Sequence, residues 1–538
     1  MAVATWVGGD GTGSQQTDYG RAANWSGGVV PDSDDHVIVA NTGHNCKLDA
    51  NREAASLTVN SGATLDGSGA KISIKSEGDS SEGTNGYAVN IDGIIAGNFD
   101  LEIDTPDTTN LDIIPSSGNI RNLIIDLGDG ARVAKIQTGG PTLTGDLTIT
   151  SGQLSTENNA LTVQGTTTIG PASGAADQAT LTCGSGTISL GASETSSYAL
   201  RVAQGGTFTG GTGAHTIGSL EMVNNAAAKC TLTSGDTTIS SERTSADNHL
   251  VIGSSTTFAH GSGTIITTFA GTTHMDVDKT LNNLTINHAS AVHKLSDSLD
   301  LAGNLTITAG EFNPNGRNLT VAGDVSVTGT LTGSSGAMSF GSLTIASGGT
   351  YSATSGTTTI KGNASSSSNL AWANSGTFTH NSGTVLFDGT NTFGGSTFGH
   401  INPATNTFNN LTINADSKVL QLRGNSTTLT VAGDLTMTDG TLMNYGTDTV
   451  TTTVTGDVSI ANGATIGANT GGNDMTAPLN FGSLSVASGG TFIATSDTTT
   501  ITKNNGGTDG RAFFIHGSAT FNHNNGLVKF TASSPQVA

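Results

Sequence analysis

Charged residues are scarce in this sequence, which excludes an intrinsically disordered chain. Asp, Glu, Lys and Arg make up 12% of its 538 residues, against a usual share of about 25%. Disordered chains carry high net charge and few β-branched residues, whereas Thr, Val and Ile recur here in short alternating runs. Such alternation suits a pleated surface. The sequence therefore predicts a folded, all-β protein.

Basic residues are scarcer than acidic ones, and long apolar runs are missing. The 20 Lys and Arg face 42 Asp and Glu, which gives a formal net charge of −22. A field of this sign repels phosphate backbones and anionic lipid headgroups. No run of about 18 apolar residues occurs that could span a bilayer. We therefore expect neither nucleic acid nor a membrane as a partner.

Cysteines are few, and the opening of the chain lacks a secretory signal. Cys46, Cys183 and Cys230 are widely spaced and contain no C-x-x-C pair, so neither a disulfide framework nor a metal site is predicted. They are expected to be small buried residues. The opening carries no basic region followed by an apolar one, which favours a protein used without the general secretory route.

Glycine, by contrast, is plentiful, and much of it belongs to a repeated unit. The unit is Gly, then Asp or Asn, then an alternating strand whose first and third residues are apolar and predicted to point inward. We expect the glycine to supply a positive φ, and the Asp or Asn to bond to nearby backbone, as in turns. Copies begin at Gly145, Gly303, Gly323, Gly433 and Gly456.

The spacing of these copies predicts the fold. Gly303 and Gly323 are 20 residues apart, and Gly433 and Gly456 are 23 apart. A period in the low twenties is typical of one coil of a parallel β-solenoid, in which each coil buries its apolar face against its neighbours. We predict an all-β, elongated parallel β-solenoid (β-helix) with coils of about 20–25 residues, some two dozen in all. The region Ala289–Leu301 is the one hint of a helix.

Further repeats predict the domain organisation. Gly-Ser-Leu recurs at Gly218, Gly341 and Gly482, and Asn283-Leu-Thr-Ile-Asn returns 127 residues later at Asn410. We predict an N-terminal Trp-containing cap or attachment segment over 1–55 and irregular solenoid coils over 56–140. Regular coils follow over 141–280, and 281–538 holds a duplicated block at about 281–400 and 408–530.

The opening residues carry a resemblance to known proteins. Trp6 and Trp25 lie in Thr-Trp-Val-Gly-Gly and Asn-Trp-Ser-Gly-Gly-Val-Val-Pro, and Leu57-Thr-Val-Asn-Ser-Gly-Ala-Thr-Leu follows. This pattern resembles haemagglutinin-like β-helix adhesins. With the later Leu-Thr-Ile and Phe-x-His repeats it also resembles phage fibre and spike proteins with β-helical shafts. The two Trp are expected to cap the solenoid end rather than to stack on a ligand.

Candidate catalytic groups do not converge in the sequence. Glycoside hydrolysis needs two carboxylates within about 5–10 Å, yet no acidic group recurs beside a cluster of Arg, His or Lys. Gly399-His400-Ile401 is the nearest match to a polygalacturonase-like motif and lacks its partners. We predict no catalytic residue and no enzyme activity. The acidic groups are Asp32/Asp34/Asp35, Glu102/Asp104/Asp107 and Asp126/Asp129.

Metal and cofactor sites are not predicted either. His260, His380 and His523 share the Phe-x-His-x-x-Gly unit but lie more than a hundred residues apart, too far to share one zinc ion. We expect each to pack beside its Phe. Gly9–Gly13 is similar to a calcium loop without the repetition that builds such sites in solenoids; a single calcium ion near the N-terminus is left open.

The resemblance implies a virion structural protein: a phage-like fibre, spike or capsid or tail surface appendage, acting as a non-enzymatic shaft or adhesin located on the virion. Its implied partners are copies of itself as a homotrimer, other virion proteins and host surface glycans. One alternative is a bacterial cell-surface or extracellular-matrix adhesin, and another is a polysaccharide-degrading enzyme. Because Thr531–Ala538 is too short to form a capping domain, we expect self-association or a partner to cover the last coil.

Overall fold

Alternating apolar and hydroxyl side chains form strands along the whole described chain. The computed structural model describes residues 2–76, 86–171, 178–241, 248–362, 370–389, 397–403, 406–468, 475–506 and 510–538. These residues form a parallel β-solenoid of about 18 turns with about 2% helix. The predicted fold class is confirmed.

The chain divides into two compact units, Met1–Asn282 and Asn283–Ala538. The first contains the short 3₁₀ helices Gly13–Thr17 and Ala22–Asn24. Its strands, β1 to β29, are Ala2–Thr5, Asp35–Val39, Cys46–Lys47, Arg52–Ala54, Ser56–Val59, Thr64–Asp66, Lys71–Ile74, Val89–Ile91, Ile94–Ala96, Asp100–Ile103, Thr109–Ile113, Asn122–Asp126, Val133–Thr138, Thr142–Leu143, Leu147–Ser155, Leu161–Val163, Thr167–Ile169, Ala179–Thr182, Ile188–Leu190, Leu200–Val202, Gly206–Thr209, His215–Ile217, Leu220–Met222, Lys229–Thr231, Asp236–Ile239, Asn248–Ile252, Thr257–Ala259, Thr264–Thr267 and Gly271–Val277.

The second unit consists of strands and connecting turns in its described residues. Its strands, β30 to β53, are Asn283–Leu295, Leu299–Leu301, Leu305–Asn313, Leu319–Val327, Thr330–Thr332, Met338–Ile345, Thr350–Ser352, Thr357–Ile360, Leu370–Asn374, Thr377–Thr379, Thr384–Asp388, Thr397–Asn402, Thr407–Phe408, Asn410–Leu422, Thr427–Val431, Leu435–Asn444, Val450–Ile460, Thr465–Ile466, Leu479–Val486, Thr491–Ile493, Thr498–Ile501, Phe513–Ile515, Thr520–Asn522 and Leu527–Phe530.

The core is a set of stacked apolar columns, because equivalent residues of successive coils pair in parallel register. Ile149 pairs with Ile169, Ile169 with Val202, and Val202 with Met222, all of them buried. The first step covers 20 residues and the second 33. Insertions between strands therefore lengthen some coils. This lengthening is the reason that the solenoid has about 18 turns rather than the predicted two dozen.

A ladder of side-chain oxygens joins successive coils at one position, directly before the alternating apolar run of each coil. In the second unit, Asn283 Oδ1 accepts the backbone N–H of Asn304 at 2.8 Å, and Asn304 Oδ1 accepts that of Asp324 at 2.8 Å. The next rung is the Ser342 hydroxyl, which donates to Asp324 Oδ1 at 2.6 Å. The Asn-Leu-Thr, Gly-Asn/Asp and Gly-Ser-Leu repeats therefore occupy equivalent positions in four successive coils.

The same ladder occurs in the second copy of the repeat and in the first unit. Asn410 Oδ1 accepts the Asp434 N–H at 3.0 Å, Asp434 Oδ1 accepts the Asp457 N–H at 2.8 Å, and the Ser483 hydroxyl donates to Asp457. In the first unit the rungs are Asn122, Asp146 and Thr166. The prediction that the Asp or Asn side chain bonds to nearby backbone in a turn was wrong, because each of these side chains bonds to the next coil.

In four of the five units, those of Gly145, Gly323, Gly433 and Gly456, the glycine is required by close approach rather than by its φ angle. None of the five repeat glycines named above has a positive φ. A Cβ on Gly456 would lie 2.3 Å from Asp434 Oδ1 and 2.2 Å from the Gly433 carbonyl oxygen, and one on Gly323 would lie 2.1 Å from Asn304 Oδ1. The predicted turn role of this glycine was wrong, since only hydrogen fits beside the rung.

Two further sequence expectations concern the second unit. Residues Ala289–Leu301, the predicted hint of a helix, lie in β30 and β31, where Val292 pairs with Glu311 and Leu299 with Leu319. Sheet pairing therefore overrides any local helical preference. The repeated Asn-Leu-Thr-Ile begins 13-residue strands in both copies, Asn283–Leu295 and Asn410–Leu422.

The close approach at Gly456 generates a stability prediction. Replacing Gly456→Ala should lower the free energy of unfolding of the second unit by about 1–3 kcal/mol, because the added methyl group overpacks the ladder. The matched control is Gly517→Ala, at an exposed glycine without a positive φ where a Cβ meets nothing within 4 Å. Urea denaturation followed by circular dichroism measures both. Equal effects of the two changes would contradict the close-approach explanation.

A buried histidine generates a pH prediction for the first unit. His215 packs beside Phe208, with ring centroids 5.8 Å apart, and burial lowers its pKa from 6.5 to about 4, against a smaller opposing effect of the Gly210 backbone. The unfolded chain therefore binds a proton that the folded chain does not, so stability falls as the pH drops from 6.5 towards 4.

His215→Leu should remove the part of this loss that His215 causes, which amounts to about 3 kcal/mol between pH 7 and pH 4. The measurement is the urea unfolding free energy at both pH values. The control is Ile217→Val, which alters a buried residue of the same strand without removing a titratable group and should leave the pH dependence unchanged. Parallel pH curves for the wild type and His215→Leu would refute the assignment.

Candidate functional site

The acidic group Glu102/Asp104 forms ion pairs across neighbouring coils. Glu102 Oε2 lies 2.8 Å from Lys71 Nζ, and Lys75 Nζ lies 2.5 Å from Asp104 and 3.3 Å from Glu53. Partial burial opposes ionisation of Glu102, but hydrogen bonds from Lys71 and Ser73 outweigh it and lower the pKa of its carboxyl group. A general acid needs a raised pKa, so this arrangement favours a structural role.

The other acidic groups bond to turns and neighbouring strands. Asp32 Oδ1 accepts the N–H of Asp34 at 3.0 Å, and Asp129 Oδ1 accepts that of Ala131 at 2.9 Å. Asp126 accepts the Ser151 hydroxyl of the next coil at 2.6 Å. These contacts give the three carboxylates structural roles in turns and between coils.

The repeated histidines close tight turns. The Nδ1 atom of His260 accepts the backbone N–H of Ser262 at 3.0 Å, and His380 does the same for Ser382 at 3.0 Å. In the third copy His523 accepts from Asn525 at 3.1 Å. The two residues after each histidine have positive φ angles. Each of these histidines therefore closes a turn, a role that the sequence analysis did not predict when it placed them beside Phe.

The N-terminal aromatics lie inside the first coils. The ring centroids of Trp6 and Trp25 are 5.1 Å apart, and Tyr19 packs 4.7 Å from Trp25. All three side chains are buried, so they are not available to stack on a ligand. In the nearby Gly9–Gly13 segment, Asp10 forms an ion pair of 2.6 Å with Arg21.

A different cluster, on the surface of the second unit, combines an exposed aromatic ring with polar groups. It consists of His400, Gln421, Arg423, Tyr445 and Asp448, and we call it the Tyr445 surface. Strands β41, β43 and β45 build it by parallel stacking, with His400 paired to Gln421. Arg423 and Tyr445 each follow the last residue of their strand, and their N–H groups bond to the coil before. Residues about one coil apart thereby become neighbours.

Arg423 lies against the exposed tyrosine ring. Tyr445 is 39% exposed, and the guanidinium carbon of Arg423 lies 4.3 Å from its ring centroid. The His400 ring lies 4.9 Å from the same centroid at an angle of 56°. Such a cation–π contact contributes about 0.5–1 kcal/mol at exposed sites. The ring is therefore held in place with part of its surface open to solvent.

The polar groups around the ring have defined roles. His400 Nε2 donates to Gln421 Oε1 at 3.0 Å, and Nδ1 lies 3.4 Å from Arg423 Nη1. Burial first, and then the Arg423 charge, lower the pKa of His400, so the ring is held neutral and its Nδ1 can accept. Asp448 Oδ2 accepts the Gly424 N–H at 2.8 Å. Within the described residues, Arg423 forms no ion pair.

In the sequence, His400 was noted only as part of an incomplete enzyme motif, and the rest of this cluster was not predicted. The signal that could have found it is the coil spacing, since His400 and Gln421 are 21 residues apart and Arg423 and Tyr445 are 22 apart. Polar and aromatic residues one coil apart on the outer face lie side by side in a solenoid.

Comparisons with known proteins identify no family for this chain. No protein-family model matches the sequence, and neither the curated proteins nor the solved structures contain a significant match. The β-solenoid is consistent with the shafts of β-helix proteins. Among the described residues, no helix has the length and hydropathy needed to cross a membrane.

The exposure of Tyr445 generates a prediction about chemical modification. Tetranitromethane should nitrate Tyr445 before Tyr19 and Tyr351, which are fully buried and whose phenol pKa values burial raises. Peptide mass mapping over a time course measures the order. The same chain unfolded in guanidinium chloride is the control, in which all three should react at similar rates. Early nitration of Tyr351 in the folded chain would contradict the packing.

Proposed function

We propose that this protein is a non-enzymatic structural shaft of a phage-like particle: a fibre, spike or surface appendage that assembles with copies of itself and with other virion proteins. The observation that carries the proposal is the side-chain ladder. Its rungs hold successive coils at fixed register in both units, from Asn122 to Thr166 and from Asn283 to Ser342. A scaffold of this kind resists local opening, because every coil is bonded to the next one.

The pairing of charges also supports a structural role. Lys71, Lys75 and Arg121 each bond to carboxylates one coil away, and the Arg121 guanidinium binds Asp100 with two nitrogen atoms at 2.6 and 2.7 Å. These pairs connect coils. Partial burial opposes ionisation of Glu102, but hydrogen bonds from Lys71 and Ser73 lower its pKa overall. A hydrolase would need one carboxyl group protonated beside another that is ionised. The paired arrangement opposes that state.

The resemblance of the N-terminal opening, taken together with the later Leu-Thr-Ile and Phe-x-His repeats, to phage fibres and spikes supports the particle assignment. The homotrimer stays part of the proposal by analogy with viral shafts, because closed symmetry is the usual outcome of self-association. The acidic surface, with a formal charge of −22, favours solubility before assembly.

Immunogold electron microscopy tests the proposal. Antibodies against the purified chain should label appendages on particles from cells that carry the gene, and gold confined to the cell envelope would instead favour the adhesin. The control is a particle preparation from cells in which the gene is deleted. Mass photometry of the purified chain distinguishes a trimer from the 53.8 kDa monomer. Release of sugars from polyuronates, abolished by Glu102→Gln, would overturn the non-enzymatic role.

A further inference from the structure

We infer that the Tyr445 surface is a binding site for neutral pyranose sugars. The site lies on the outer face of the second unit, and it adds a ligand contact to the structural role proposed above. The inference rests on three observations. The exposed ring is held by the neighbouring Arg423, hydrogen-bond donors and acceptors lie beside it, and the local charge is close to neutral.

The ring provides the stacking surface. A pyranose ring presents a face of C–H groups that packs on an aromatic ring, and Tyr445, a residue that is 39% exposed, offers such a ring. Arg423 lies 4.3 Å from the ring centroid, so a ligand would pack on the part of the ring that the guanidinium leaves uncovered. Because the guanidinium and His400 already hold the ring, little side-chain entropy is lost on binding.

The neighbouring polar groups match sugar hydroxyls. The guanidinium of Arg423 forms one long contact of 3.4 Å, with His400 Nδ1, and its remaining N–H groups can donate to hydroxyl oxygens. Asp448 uses Oδ2 to accept from Gly424, which leaves Oδ1 to accept a hydroxyl proton. A hydroxyl both donates and accepts, so adjacent hydroxyls of one sugar can satisfy Arg423 and Asp448 together.

Charge favours a neutral sugar over an acidic one. Asp448 acts electrostatically on the same histidine as Arg423, with the opposite effect on its pKa, so the two charges lie in one small region and largely cancel. The whole chain carries −22, which repels uronates and nucleic-acid phosphates. A ligand without charge has no such penalty.

The affinity of one site is expected to be low. The surface is open and holds a single ring, whereas tight small-molecule sites enclose most of their ligand. A dissociation constant on the order of 1 mM follows from such limited contact. Several copies in one assembly would raise the apparent affinity by avidity.

Saturation-transfer NMR on the full chain tests the inference, with maltohexaose, N-acetylchitohexaose and a β-galactan hexamer as neutral probes and hexagalacturonate as the acidic probe. At least one neutral hexamer should bind. Tyr445→Ala should weaken that binding about fivefold to tenfold, the loss expected for one aromatic contact. Tyr445→Phe keeps the ring and should retain binding, and Arg423→Ala should weaken it.

The matched control is Phe514→Ala. It removes another ring in contact with arginine in the same unit, where the guanidinium carbon of Arg511 lies 5.1 Å from the Phe514 centroid. Binding should survive this change, and circular dichroism should show each variant folded. The inference is overturned if no neutral hexamer binds at millimolar concentration, if only hexagalacturonate binds, or if Tyr445→Ala binds as well as the wild type.

Discussion

The hydrogen bond from an Asn or Asp side-chain oxygen to the backbone N–H one coil later is the contact on which the rest of this structure depends. It recurs directly before the alternating apolar run of successive coils, for example between Asn304 and Asp324, so it determines the register of the run that follows. Register in turn decides which residues point inward, because side chains alternate with a period of two. Burial of the apolar columns then stabilises the arrangement.

Two features of the sequence follow from this ladder. The glycine before Asp146, Asp324, Asp434 and Asp457 leaves room for the side-chain oxygen of the coil before, as the 2.1 Å distance at Gly323 illustrates. The change from Asn or Asp to Ser at Ser342 and Ser483 ends each ladder in the second unit with a hydroxyl donor. Repeats that look unrelated along the chain are therefore successive steps of one network.

Local pattern predicts the fold well and the individual contacts poorly. Alternation around Thr148 and the 20-residue spacing of Gly303 and Gly323 suffice for a parallel solenoid, because both depend only on strand geometry and coil length. The role of the glycine and the strand at Val292 depend on what lies one coil away. The coil count depends on the insertions between strands. The Tyr445 surface was missed for the same reason, since its members come from three coils and no local motif contains them.

Stacking in register also limits the chemistry that the scaffold supports. When coils repeat at fixed spacing, a charged residue meets its counterpart in the next coil, and opposite charges there become paired, as Arg201 and Glu221 do. Such pairs hold coils together, and the lowered pKa of Glu102 is the opposite of the raised pKa that a general acid needs. Binding does not require a shifted pKa; it requires an accessible surface with unsatisfied donors. Arg423 supplies these because it packs on a ring and forms no ion pair among the described residues, so the site of recognition on such a scaffold is expected where ion pairing between coils is interrupted.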